Sequence, residues 1–499
     1  MAPRRACCAA MRAPIALSKT KLLSLVQCPR KLWLETYSPE LMPEPSAEKT
    51  TVLATGNVVG EIARRLYGRG AGHVVSFDRG LRAAIESTRA LVARGGPEPI
   101  FEATFDHDGV SVRIDVLDRS GPTPKIVEVK SSARVKDHYI DDCAIQAWAL
   151  TQNGLSLRQI AVATLNPQFV YAGDGRYDGL LVETDVTERV QERLADIGEL
   201  VVAARRTLAA LDEPAVAVGT HCGSPHECEF WSHCAPPPGK YPVFDLGGSK
   251  EKLFELMHSG YGDVRDVPEA KLDSDVQRRI WQQSRLEAPY VGAELREIVN
   301  ALPFPRYYLD FETIGPAVPM FAGTRPFEAL PFQWSCHIER SRGAVEHAEF
   351  LELDGEPPMR RLAERLLATL GPSGPIVVYT PYERRVLHEL AARYDDLATG
   401  LRALAERIVD LHPATRRNYY HPAMHGSWSI KAVLPTVAPD LSYDKLGAVR
   451  DGLAAQSAYL EAIDAKTPAA RRAALRTALL DYCRHDTLAL VRLVEFFGR

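Results

Sequence analysis

Apolar positions along the chain switch between two periods, and the switches divide it into segments. From Leu17 the run LSKTKLLSLVQCPRKLWLE repeats at helical spacing, and GNVVGEIARRLYG reads as a second helix. Alternation with a period of two follows in FEATFD, VSVRIDVLD and KIVEVKSS, which predicts three strands. The turn-rich DRSGPTP, residues 118–124, separates the last two strands as in a hairpin. Helical patterns then dominate as far as HCGSPHECEFWSHCAPPPGK, where Pro236, Pro237, Pro238 and Gly239 mark a break. A charged, mostly helical stretch fills 236–302. An α/β pattern restarts near 303 with strands at RYYLDFET, FQWSCHI and PIVVYT, and closes on the amphipathic LLDYCRHDTLALVRLVEFF.

The pattern therefore predicts an α/β chain of two domains, 17–235 and 303–499, joined by a helical connector at 236–302. A length of 499 residues, too great for one core, agrees with that division. With 46% hydrophobic and 25% charged residues, each half can bury a core unaided. A net charge of −4 excludes no partner, because a nucleic-acid site needs only a local basic groove. No stretch approaches the roughly 18 uninterrupted apolar residues that span a bilayer, so no membrane partner is expected. Arg12 interrupts the apolar run of the first segment, so 1–16 reads as a disordered leader rather than a secretory signal, and Met11 could be the true start. Nine cysteines without regular pairing point to a reducing cytoplasm, where clustered thiols become candidates for metal ligation.

Three constellations carry chemistry. In RIDVLDRSGPTPKIVEVKSS, Glu128 and Lys130 are two apart on a strand and share a face, and Asp115 meets them if the hairpin pairs in register. Two carboxylates can hold Mg²⁺ or Mn²⁺ through oxygen, and a neighbouring Lys can orient the attacking water. Glu61 lies upstream on a helix and Gln146 downstream in DDCAIQAWAL. Asp, Glu-x-Lys, a preceding helical acid and a following Gln together resemble the PD-(D/E)XK nuclease superfamily, in its RecB-like branch. That branch often carries Tyr three or four residues after the Gln; here Ala149 and Leu150 stand there. The resemblance implies a restriction-endonuclease-like fold, with Glu61, Asp115 and Glu128 on metal and Lys130 and Gln146 in catalysis.

Cys222, Cys228 and Cys234 recur with five residues between neighbours, and Cys28 stands far upstream in VQCPRKLW. The CxxC pairing usual for zinc is absent, although His221, His226 and His233 could substitute in a zinc site. One distant and three clustered cysteines resemble the iron–sulfur RecB-like exonucleases, such as the CRISPR-adaptation exonucleases and AddB. The resemblance implies that Cys28, Cys222, Cys228 and Cys234 ligate a structural 4Fe–4S cluster. Cys7, Cys8, Cys143, Cys336 and Cys483 are expected in the leader or core.

In RYYLDFETIG, Asp310 and Glu312 share one face of an otherwise apolar strand, where carboxylates are costly unless they bind something. Tyr482 and Asp486, four apart, share a helix face. Strand DxE early and helical YxxxD late resemble the DEDDy class of DnaQ-like exonucleases. The resemblance implies an RNase H-like fold, two metals held by acids, and Tyr482 orienting a water. Asp481 stands where the His-type variant would have its histidine. For the middle acid, Glu383 follows Tyr382 where the family has an aromatic–Asp pair, and Asp410 in RIVDLHP is the rival. Thr380, Pro381 and Glu383 equally match a helix capping box. Arg416, Arg417, Tyr419, Tyr420 and Lys431 interleave basic and aromatic residues suited to phosphate contacts and base stacking. Together the resemblances imply phosphodiester hydrolysis on DNA or RNA, from an end of the strand; a nucleic-acid-binding scaffold with degenerate sites is the alternative.

Overall fold

A computed structural model describes residues 15–443 and 446–499. The expected leader, with Cys7, Cys8, Met11 and Arg12, lies outside the described residues except for Ile15 and Ala16, which carry no regular structure. The architecture is α/β, in two compact units. Unit 1 spans 1–235 together with Ala317–Phe327, and unit 2 spans Pro236–Pro316 and Glu328–Arg499.

Unit 1 begins with β1 (Leu17–Ser18), α1 (Lys19–Gln27), α2 (Pro29–Tyr37) and α3 (Ala47–Gly68). Then come β2 (His73–Val74), α4 (Gly80–Arg94), β3 (Ile100–His107), β4 (Val110–Asp118) and β5 (Lys125–Lys130). It closes with α5 (His138–Gln152), β6 (Gln159–Leu165), β7 (Leu181–Asp185), α6 (Thr187–Leu194), α7 (Ile197–Ala209) and the short α8 (Trp231–Cys234). The sheet order is β2-β3-β4-β5-β6-β7, with β1 beside β4. The hairpin at 118–124 forms as its turn residues require: β4 and β5 are antiparallel, with Val116 opposite Val127 and Asp118 opposite Lys125. After α5 crosses over, β6 returns parallel to β5. The apolar face of α5, including Ile140, Ile145 and Leu150, is buried against this sheet.

Unit 2 starts with α9 (Lys250–His258), α10 (Asp275–Leu286), β8 (Tyr290–Val291) and α11 (Ala293–Asn300). Next are β9 (Arg306–Ile314), β10 (Leu330–Ser341), β11 (Ala344–Leu351), α12 (Met359–Thr369), β12 (Ile376–Val378) and α13 (Tyr382–Arg393). They are followed by α14 (Ala398–Glu406), β13 (Ile408–Asp410), α15 (His412–Asn418), β14 (Tyr419–Tyr420) and α16 (Ile430–Val437). The chain ends in α17 (Gly452–Ile463) and α18 (Ala469–Phe497). The five-stranded sheet runs β11-β10-β9-β12-β13; β9, β10 and β11 are antiparallel, and β12 is parallel to both β9 and β13.

The stretch expected as a connector is built into unit 2. Tyr241, Val243, Leu253, Ile280 and Leu295 share a buried cluster with Tyr308, Val377, Tyr419 and Val494. Apolar residues of short helices need a surface to cover, and the flank of this second sheet provides it. Tyr419 and Tyr420, expected as stacking platforms, are 1% and 0% exposed and pair with β8. Their rings lie in the core, so no base can stack on them. No helix among the described residues is long and apolar enough to cross a membrane.

Candidate functional site

In unit 1, β5 carries Glu128, which is buried, and Lys130, which is half-buried, on one face. Lys130 Nζ donates to Glu128 Oε1 at 2.6 Å and to Asp142 Oδ2 at 2.7 Å. Gln146, one helical turn after Asp142, donates from Nε2 to Glu128 Oε2 at 2.6 Å and to Asp142 Oδ1 at 2.9 Å. Lys19, the first residue of α1, reaches Asp142 Oδ1 at 2.6 Å and Glu128 Oε1 at 3.2 Å. Asp115 follows the last paired step of the hairpin and accepts from the Val129 N–H at 2.8 Å. Burial first, and the Glu128 charge second, push the Asp115 carboxyl up to about 7, against Lys19. For Asp142 the balance reverses: burial raises it, but Lys19 and Lys130 outweigh that and hold it below the usual carboxylate range.

The structure thus brings together Asp115, Glu128, Lys130 and Gln146. Glu61 stands apart from this network. Its side chain is largely exposed and pairs with Arg64 at 2.7 Å, although it lines one cleft of about 450 Å³ with Asp115. Glu102 lines the same cleft, in a left-handed conformation (φ +58°) unusual for a side-chain-bearing residue. Sequence reasoning missed Lys19, Glu102 and Asp142. The one available signal was Asp142–Gln146 at helical spacing of four, which puts both on one face.

The four expected thiols line a single pocket, with Arg30 and His221 beside them. All four are free of disulfides. Cys28 ends α1 and precedes Pro29, a break that turns its side chain toward the 222–234 segment; Gln27 ties that segment down by donating to His221 O at 3.0 Å and His226 O at 2.7 Å. Burial pushes the Cys234 thiol up to about 11, against the Arg30 charge. His233 pairs with Glu213 at 3.1 Å, and the His226 ring packs 5.2 Å from His138, so neither completes the thiol set.

In unit 2, β9 carries Asp310 and Glu312 opposite Ser335 and Gln333 of β10. Those two partners anchor α18 over the strand: Gln333 Nε2 donates to Leu479 O at 2.8 Å, and the Ser335 and Thr487 hydroxyls meet at 2.8 Å. Tyr482 and Asp486 consequently face the β9 acids. Asp310, Glu312 and Cys483 bring ligand atoms within 4.8 Å of one another. Cys483, expected as plain core, is fully buried yet sits with Sγ 3.4 Å from Asp310 Oδ2, because it follows Tyr482 on the same inward side of α18. Burial and the Asp486 charge raise Asp310 and Glu312 well above the carboxylate range. Burial likewise lifts Asp486 to about 6, against hydrogen bonding from Tyr443 and the charge of Lys431. Tyr443, which donates to Asp486 Oδ1, was not foreseen.

Glu383 is the second residue of α13 and is 5% exposed, with Oε2 buried and without a hydrogen-bond partner. Burial first, then Asp410 and Asp486, push it up to about 8. Its charge also bears on Asp310 and Glu312, whereas Asp410 bears on Glu383 and accepts from the His412 N–H at 2.8 Å. No capping box forms: Pro381 is the cap residue, without a side-chain hydrogen bond, and Thr380 accepts only from the Tyr382 N–H at 3.3 Å. Lys431 Nζ lies 5.3 Å and 5.5 Å from the centres of the Tyr443 and Tyr482 rings. Arg416 packs over Trp428, and Arg417 lies 3.6 Å from Glu294.

Crowded buried carboxylates with raised affinities for protons are short of positive charge, which a divalent cation supplies. No curated protein matches the chain. A domain of unknown function, DUF2779, matches residues 307–429, which takes in Asp310, Glu312, Glu383 and Asp410 and stops before Tyr482 and Asp486.

Proposed function

We propose that the chain is a metal-dependent nuclease with two carboxylate centres, hydrolysing phosphodiester bonds of DNA or RNA from an end of the strand. One observation carries the proposal: Asp310, Glu312, Glu383 and Asp486, from three separate stretches, converge in a largely buried cluster with no matching set of cations among the described residues. Burying like charges together is unfavourable unless a ligand compensates. The β11-β10-β9-β12-β13 order, with one antiparallel and one parallel flank, is that of an RNase H-like sheet, which supports a DnaQ-like assignment for unit 2. In unit 1, three antiparallel strands followed by α5 and parallel β6 support a PD-(D/E)XK-like core.

Mg²⁺ or Mn²⁺ would be held by Asp115 and Glu128 in unit 1 and by Asp310, Glu312, Glu383 and Asp486 in unit 2, and would supply an acidified water and charge neutralisation at phosphorus. The residues themselves supply orientation. Lys130 keeps an ammonium at the edge of the first centre, Tyr482 offers a hydroxyl beside Asp486, and Lys431 brings a positive charge to bear on Glu312 and Asp486 that would also attract a phosphate. Cys28, Cys222, Cys228 and Cys234 lining one pocket, free of disulfides, supports a shared metal group, read here as a 4Fe–4S cluster. Such ligation suits a reducing cytoplasm.

End-labelled single- and double-stranded DNA, incubated with Mg²⁺ or Mn²⁺, tests the proposal. Asp310→Ala and Lys130→Ala, made separately, should each remove a distinct part of the cleavage. Cleavage unchanged in both would show that neither centre is catalytic and leave a binding scaffold as the better account.

A further inference from the structure

We infer that Lys19 is a positioning residue of the first centre, an internal cation that holds Glu128 until a divalent cation displaces it toward Asp142. The inference rests on the metal-binding reading of that centre. Its basis is the hydrogen bonding around Glu128, where Oε1 accepts from two ammoniums and Oε2 from one amide. Oε2 accepts from Gln146 at 2.6 Å, and Oε1 accepts from Lys130 at 2.6 Å and Lys19 at 3.2 Å. A cation taken through Oε1 beside Asp115 competes with the two ammoniums there, and the longer of their contacts is that of Lys19.

All three donors to Glu128 also reach Asp142, Lys130 at 2.7 Å, Gln146 at 2.9 Å and Lys19 at 2.6 Å, but only for Lys19 is the Asp142 contact clearly the shorter of the two. Released from Glu128, the ammonium keeps a buried carboxylate partner and is not stranded. Its backbone stays in place meanwhile. Ser18 caps α1 by accepting from the Lys21 N–H at 3.3 Å, and Leu17–Ser18 pair with Val110–Ser111 of β4. The side chain can swing from one acceptor to the other with its root anchored. Gln146 Oε1, wholly buried and without a hydrogen-bond partner, is a further oxygen in the same cluster free to meet an incoming cation or its water.

The charges give the arrangement a sign. Two ammoniums, Lys19 and Lys130, balance two carboxylates, Glu128 and Asp142, and Asp115 stands outside that balance. A dication entering beside Asp115 meets a repelling Lys19. Removing that charge strengthens cation binding, whereas removing the Asp142 charge takes away the alternative acceptor and strengthens the hold of Lys19 on Glu128. Damage to packing would weaken binding in both cases, so the opposite signs separate the inferred role from a merely structural one.

The test is Mn²⁺ titration of the full chain, read by electron paramagnetic resonance of the free ion. Asp310→Asn with Asp486→Asn serves as the parent, to remove the second centre. Lys19→Met should tighten binding by about tenfold and Asp142→Asn should weaken it by about tenfold, the scale of one charge a few ångströms away. Lys19→Met binding no tighter than the parent overturns the inference. So does Asp142→Asn binding as tightly as the parent, which keeps the test decisive should Lys19→Met fail to fold. Parent binding that Asp115→Asn leaves undiminished overturns the metal reading of this centre, and the inference with it.

Discussion

Gln146 donates its amide to Glu128 Oε2 at 2.6 Å, and the same nitrogen reaches Asp142 Oδ1 at 2.9 Å. One neutral side chain, wholly buried, therefore holds two buried carboxylates at a fixed separation. Gln146→Ala leaves both with one donor fewer and opens a cavity. The expected loss is about 2–3 kcal/mol in the stability of unit 1, from unsatisfied buried charge. Urea unfolding measures it; a midpoint unchanged from the parent would mean that the amide contributes nothing to the cluster.

The second centre makes stability depend on pH. Folding raises the Glu383 carboxyl from 4.5 to about 8 and the Asp486 carboxyl from 3.8 to about 6. Between those ordinary and folded values the native state binds more protons than the unfolded chain. The cation-free protein is therefore most stable at the acid end of the window and loses stability as pH rises toward about 8. Thermal melts in the presence of a chelator should fall across that range. Saturating Mn²⁺ should flatten the dependence, because the cation takes the place of the protons. A melting temperature that climbs with pH in chelator would contradict the burial of these acids.

Two tyrosines address one carboxylate. Tyr443 donates to Asp486 Oδ1, and Tyr482 stands one helical turn before Asp486 on α18. Tyr482→Phe should cut hydrolysis at the second centre by about a hundredfold, the scale of one lost proton-handling group, while Mn²⁺ affinity changes less than twofold. A fall in Mn²⁺ affinity matching the fall in rate would instead assign Tyr482 to holding the acids.

Cys28 joins the start of unit 1 to its last segment only through space, in the pocket shared with Cys222, Cys228 and Cys234. Anaerobically purified protein should absorb near about 400 nm, as thiolate-ligated iron–sulfur clusters do. Cys28→Ser should lose most of that absorbance and melt at a lower temperature. Colourless wild-type protein with stoichiometric zinc would replace the cluster assignment by a zinc one.

What the sequence determined by itself was everything that follows from short-range periodicity. A strand alternates, so Asp310 shares a face with Glu312 and Glu128 with Lys130. A helix turns in 3.6 residues, so Tyr482 shares a face with Asp486. The turn at 118–124 dictated the hairpin that sets Asp115 beside Glu128, and DUF2779 begins at the strand those periods mark. Tertiary structure alone decided which distant residues join them. Lys19 enters the first centre from 109 residues before Glu128, and Tyr443 reaches Asp486 across 43 residues, distances over which no periodicity acts. Packing also settled the aromatic pairs. Tyr419 and Tyr420 resemble a surface platform in sequence, but the 236–302 stretch covers them because its own apolar faces require burial. Local geometry is encoded residue by residue, whereas convergence belongs to the whole buried surface, and the chemistry of both centres depends on that convergence.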